Sequence, residues 1–114
     1  MGLRHKIYYE NGDIYMCSHC HTHFSSKEEV MSYAFTGQHG KAALVKRVVN
    51  VTHGELENRD MLTGLHKVRS AFCVQCNKEI GWKYEHAFNQ TEKYKVGCYV
   101  LELALCNMVL LKNE

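Results

Sequence analysis

A mostly β domain, two antiparallel sheets joined by one four-cysteine metal clip, is the architecture this chain's pattern predicts. Two Cys-x-x-Cys pairs, Cys17/Cys20 and Cys73/Cys76, supply the clip. Short β-prone runs punctuated by turn residues supply the strands, in a chain with no proline, where strands read more readily than helices.

Each Cys-x-x-Cys pair sets two thiolates on one tight turn, and Zn²⁺ prefers four such ligands in a tetrahedron. The 52 residues between Cys20 and Cys73 are too many for a compact zinc finger and enough for several strands. One ion would therefore clip together distant parts of a single fold. The competing readings are a redox dithiol, which needs a strand-to-helix turn that neither pair has, and plain buried cysteines. His19, His21 and His23 crowd the first pair, in CSHCHTHF, and offer either substitute ligands or exposed turn residues. Cys98 and Cys106 have no such partner and read as small buried hydrophobes.

From the N-terminus, Lys6–Tyr9 and Asp13–Met16 flank the turn sequence Glu10-Asn11-Gly12 and predict a hairpin leading into the first cysteine pair. Ser26, with Glu29 three residues on, predicts one helical turn. Thr36–Gly40 is polar and flanked by glycine, hence a loop. Ala42–Thr52 is rich in β-branched residues but interrupted by Lys46-Arg47, so it predicts a bent strand or two halves, with a turn at His53-Gly54. Asp60–Thr63 and Leu65–Phe72 read as strands joined at Gly64. Ile80–His86 alternates, placing Trp82, Tyr84 and His86 on one face with Ile80 in phase. Lys93–Gly97 turns the chain. Cys98–Leu111 is apolar and fits either a long strand or a helix, with Tyr99 and Val100 favouring a strand at its start.

At 114 residues the chain is long enough for one domain, 1–114, with its core at about 15–104 behind the N-terminal hairpin, and small enough for a metal clip to matter. A net charge of +2 and the lack of a basic run do not favour nucleic-acid binding. No segment has the eighteen apolar residues of a membrane span, and the N-terminus lacks a signal-peptide core. An intracellular protein of nucleus or cytoplasm is expected, in a compartment that keeps thiols reduced for metal. Asn50-Val51-Thr52 and Asn89-Gln90-Thr91 then match the glycosylation pattern only by coincidence. Gly2 begins a myristoylation-like sequence, but position 6 is Lys6 where that signal needs Ser or Thr. Lys41, Lys46 and Arg47 read either as a docking patch or as solvated surface charge.

Taken together, CSHCHTHFSS, VVNV, TGLH, CVQC, GWKYE and YKVG resemble the Yippee family of small eukaryotic zinc proteins across Tyr15–Glu102, and MGLRHKIYYEN is similar to its fungal members. The resemblance implies a β-tent fold, two antiparallel sheets meeting at an angle, shared with the cereblon ligand domain, Mis18-type centromere proteins and methionine-sulfoxide reductases. It also implies one structural Zn²⁺ held by Cys17, Cys20, Cys73 and Cys76.

Trp82 and Tyr84 resemble half of the aromatic cage of the cereblon ligand domain. The other two cage positions fall at Val68 and Leu62, so cyclic-imide binding is in doubt. A Trp and a Tyr two apart on a strand share a face and can stack a ring, a cation or a peptide side chain, or simply fill a core. His66, in the TGLH turn, is a further candidate border of that pocket. Three function classes follow. The first is a non-catalytic interaction module, an adaptor in an assembly such as a ubiquitin ligase with a role in growth or the cell cycle. The second is a reader of a small ligand or modified peptide, and the third a reductase-like enzyme. A closed four-thiolate site leaves no open position for water, and Cys98 lacks the surroundings of a catalytic thiol, so no enzyme is expected.

Overall fold

The computed structural model describes residues 6–112, so Gly2 lies outside the described residues. Among them, ten strands build two antiparallel sheets. The strands are β1 (Gly12–Cys17), β2 (His23–Ser26), β3 (Val30–Gly37), β4 (Gly40–Val45), β5 (Val51–His53), β6 (Glu57–Met61), β7 (Gly64–Cys73), β8 (Glu79–Ala87), β9 (Tyr99–Glu102) and β10 (Cys106–Leu111). A small sheet runs β10-β1-β2. A large one runs β3-β4-β9-β8-β7-β5, with β6 pairing beside β5 along the ten-residue β7.

Several local signals act as the sequence reading expects. The turn after Ser26 forms as a 3₁₀ turn over Lys27–Glu29, and the β-branched run divides at Lys46-Arg47 into β4 and β5. A 3₁₀ turn over Gln90–Lys95 brings the chain round before β9. The junction of β6 and β7 differs: the strand expected over Asp60–Thr63 ends at Met61, the turn falls at Leu62-Thr63, and Gly64 pairs with Met61 as the first residue of β7.

Other elements differ, each for a physical reason. Residues 6–10 form no hairpin with β1. The two edges of β1 are taken by β10 and β2, and Ile7 is held instead by the Asn50 side chain, which accepts its N–H and donates to its carbonyl. Asn50 also donates to the His23 carbonyl, so its amide is committed to the fold. Val30–Gly37, part of which reads as a loop, is an edge strand paired with β4. Its exposed positions hide the two-residue alternation that marks a half-buried strand. Cys98–Leu111 is neither one strand nor a helix: β9 joins the large sheet, a 3₁₀ turn at Leu103–Leu105 changes direction, and β10 joins the small one.

The core lies between the sheets. Tyr15, Cys17 and Phe24 of the small sheet pack against Ala43, Val45, Ala71, Cys73, Ile80, Tyr99 and Leu101 of the large one. The alternate residues of those strands point to the outer face of the large sheet, where Ala42, Leu44, Val68, Trp82, Tyr84 and Val100 form a second apolar cluster. The large sheet is thus apolar on both faces.

Ile80 does not share a face with Trp82, because the register skips it: Ala71 faces Gly81 while Phe72 faces Glu79. The extra residue of this bulge turns Ile80 inward to the intersheet core and leaves Trp82 outside. A second skip, between Lys67 and Val68, leaves Glu85 unpaired and moves His86 to the face opposite Tyr84. Gly81 makes the first bulge possible. A side-chain carbon there would stand 1.8 Å from the Val100 carbonyl oxygen, so the backbones of β8 and β9 approach too closely for any residue with a Cβ.

Candidate functional site

The two cysteine pairs sit on turns of the same construction. Cys17 ends β1 and Cys73 ends β7. In each turn the N–H of the cysteine donates to the carbonyl five residues on, Thr22 or Lys78, at 2.8 Å. The N–H four residues on, His21 or Asn77, returns to the cysteine carbonyl at 2.9 Å. That fourth residue is left-handed in both, with φ of 65° at His21 and 63° at Asn77. The two backbone hydrogen bonds fold each x-x segment so that its sulfurs converge.

The four sulfurs then meet. They lie within 4.8 Å of one another, with Cys17 Sγ 3.6 Å from Cys76 Sγ and Cys20 Sγ 3.5 Å from Cys73 Sγ. Zn–S bonds of about 2.3 Å in a tetrahedron require sulfurs about 3.8 Å apart, so the cluster is pre-shaped for one such ion. Each pairing runs between the turns rather than within one, as a clip across the chain demands. Burial raises the Cys20 thiol, but hydrogen bonds from the Thr22 side chain and backbone and from neighbouring thiols outweigh it and bring it down to about 7. Burial raises Cys17 and takes Cys76 to about 12. A cation bound among the sulfurs would hold all four as thiolates.

Among the described residues, no histidine joins the cluster. His19 and His21 are exposed, while His23 is buried in β2, where its Nδ1 accepts the Tyr9 N–H. Cys106 faces Cys17 across the β1–β10 ladder and is partly buried, with burial pushing its thiol up to about 12. Cys98 is half-buried on the outer face, its thiol raised by burial and lying 3.6 Å from Met31 Sδ. Neither cysteine is the fully buried residue that its apolar context suggests.

On the outer face, Trp82 and Tyr84 line an open cavity of about 500 Å³. Their rings meet edge to face, 6.2 Å apart. Phe35 of β3, Met61 and the Leu62-Thr63 tip, and Tyr94 with Lys95 complete the wall. Of the other cage positions, Val68 is buried in the sheet and Leu62 is fully exposed at the rim. His66 is not on the wall. It is fully buried beside Tyr84, with ring centroids 5.1 Å apart and Nδ1 donating to the Gly64 carbonyl. Phe35 carries no sequence signal for this site because it comes from a distant strand, and Tyr94 and Lys95 carry none because only the 3₁₀ turn after β8 folds them back beside Tyr84.

A four-thiol centre on paired turns, within a two-sheet β domain, defines a small metal-binding β protein. The family model described as "Yippee zinc-binding/DNA-binding /Mis18, centromere assembly" matches residues 14–114, and the chain belongs to that family. It is 53% identical over 91 residues to a protein yippee-like of Solanum tuberosum, covering 80% of this chain and 70% of that one. To protein yippee-like 4 of Rattus norvegicus it is 47% identical over 90 residues, covering 79% and 71%. The crystal structure of a Mis18 "Yippee-like" domain superimposes with a TM-score of 0.67 at 14% identity, over 89% of this chain and 98% of that one, which establishes a shared fold.

Proposed function

We propose that this protein is a non-catalytic interaction module, stabilised by one Zn²⁺, that serves as a subunit or adaptor of a larger intracellular assembly such as a ubiquitin ligase with a role in growth or cell-cycle control. The observation that carries the non-catalytic part is the closed set of four cysteine sulfurs: a tetrahedral ion bound there has no free position for water or substrate. Zinc is the ion that suits four thiolates at these separations and the one named in the family's description. Support for docking comes from β10. Among the described residues it is an edge strand, paired on one side only, with β1, and Met108, Val109 and Leu110 on it are exposed. The test is quantitative affinity capture from host-cell lysate with the parent beside Leu110→Asp and Trp82→Ala, all three shown first to hold zinc and to melt alike. Recovery of ubiquitin-ligase subunits by the parent, reduced at least about tenfold by either substitution, is the expected result. Equal recovery by all three, or no such subunits with the parent, removes the adaptor reading.

A second reading concerns the outer-face cavity. Trp82 is 7% exposed, and its indole Nε1 is buried without a hydrogen-bond partner. A formed cavity lined by Trp82, Tyr84, Phe35 and Tyr94 is a feature of ligand sites more than of cores. This supports a small-ligand or modified-peptide site at Trp82 and Tyr84.

A further inference from the structure

The cavity wall carries a buried cation, Lys95, with hydroxyl and indole groups around it. Lys95 is 3% exposed, and its ammonium has two polar partners, Thr63 Oγ1 at 3.0 Å and Glu92 Oε1 at 2.6 Å. Its third N–H is left among the rings of Phe35, Tyr84 and Tyr94, at 5.2, 5.4 and 6.0 Å from their centroids. Thr63 accepts from Lys95, which frees its own O–H to donate. The Tyr84 hydroxyl has only a weak partner, Met61 Sδ at 3.9 Å, and the Trp82 indole N–H beside it has none. Where that hydroxyl accepts from the indole, its own proton is left to donate into the cavity. Glu92, the acidic group on the wall, is paired with Lys95 through Oε1.

This arrangement discriminates among ligand charges. The aromatic surround that would cradle a foreign cation is already filled by the chain's own Lys95, which leaves no ring face there for a second ammonium. A primary amide would bring two more N–H donors to a wall already rich in them. A carboxylate brings acceptors alone and forms charge-assisted hydrogen bonds.

We propose that the cavity binds a small apolar carboxylate, its ring or chain lying against Trp82 and Phe35 and its oxygens accepting from Lys95, Thr63 and Tyr84. This rests on reading the outer face as a ligand site and adds the ligand's chemical class. Trp82 is the only tryptophan in the chain, so its emission reports directly on the cavity. The experiment titrates the zinc-loaded full chain with three probes of one shape and different charge: benzoate, benzamide and benzamidinium. Expected is a saturable change in emission with benzoate at an affinity about tenfold or more above that for benzamide, and no change with benzamidinium. Lys95→Met should weaken benzoate binding by about tenfold while leaving benzamide within about twofold. Thr63→Val, at the hairpin tip, should weaken benzoate too and serves should Lys95→Met fail to fold. Tighter binding of benzamide or benzamidinium overturns the carboxylate while the ligand-site reading stands. Silence with all three probes overturns both.

Discussion

Cys73→Ser should leave the domain unfolded at room temperature, or melting far below the parent. Cys73 is 1% exposed and belongs at once to the sulfur cluster and to the intersheet core, between Ala71 and Ile80. Serine removes one of four ligands and puts a hydroxyl into that core. A clip joining Cys20 to Cys73 closes a loop of about fifty residues, which by analogy with a disulfide is worth roughly 4 kcal/mol of denatured-state entropy before metal bonding is counted. Domains of this size have about 5–15 kcal/mol in all. Removing the metal with a strong chelator should reproduce the effect in the parent. Circular dichroism during heating is the measurement, and Cys106→Ser, beside the cluster but outside it, should melt much closer to the parent. A Cys73→Ser protein that melts with the parent would show that the metal does not hold this fold together.

Gly81→Ala should be the second large loss, about 3 kcal/mol or more, from the addition of one methyl group. The new carbon would stand 1.8 Å from the Val100 carbonyl oxygen, and the obstacle is backbone, so β8 and β9 must separate. That separation disrupts the Gly81–Leu101 and Trp82–Val100 pairings and the bulge that sends Ile80 and Trp82 to opposite faces. Gly97→Ala is the informative comparison. Gly97 has φ of +88° but nothing within 4 Å of an added carbon, so only conformational strain of about 1 kcal/mol is expected. Denaturant midpoints of the two variants separate close approach from backbone preference, and equal losses would refute the close approach.

The four-cysteine cluster was legible because a Cys-x-x-Cys turn is local: spacing alone brings two sulfurs together, and two such turns need only to meet. Strands rich in β-branched or aromatic residues, such as β4, β7 and β8, were legible for the same local reason. What local pattern cannot carry is parity across a bulge. One skipped residue at Ile80 reverses the face of everything before it, and no composition marks the skip except Gly81 itself. Edge partners were equally hidden. The run at 6–10 has good hairpin chemistry, but the edge of β1 that such a hairpin would use goes to β10, which lies 89 positions along from Cys17 at the Cys17–Cys106 pair. The outer-face cavity was half legible. Trp82 and Tyr84 are two apart on one strand, whereas Phe35 joins them only through the order of β3, β4, β9 and β8 in the sheet, and Lys95 only because the 3₁₀ turn after β8 folds back on it.

The central claim is that Cys17, Cys20, Cys73 and Cys76 hold one zinc ion as a structural clip. Native mass spectrometry of the purified protein, followed by thiol alkylation before and after chelation, tests it most directly. The account predicts one zinc per chain, with these four cysteines protected from alkylation while it is bound and modified together once it is removed. A chain folded without metal, or a zinc ion retained when any of the four is alkylated, would contradict it.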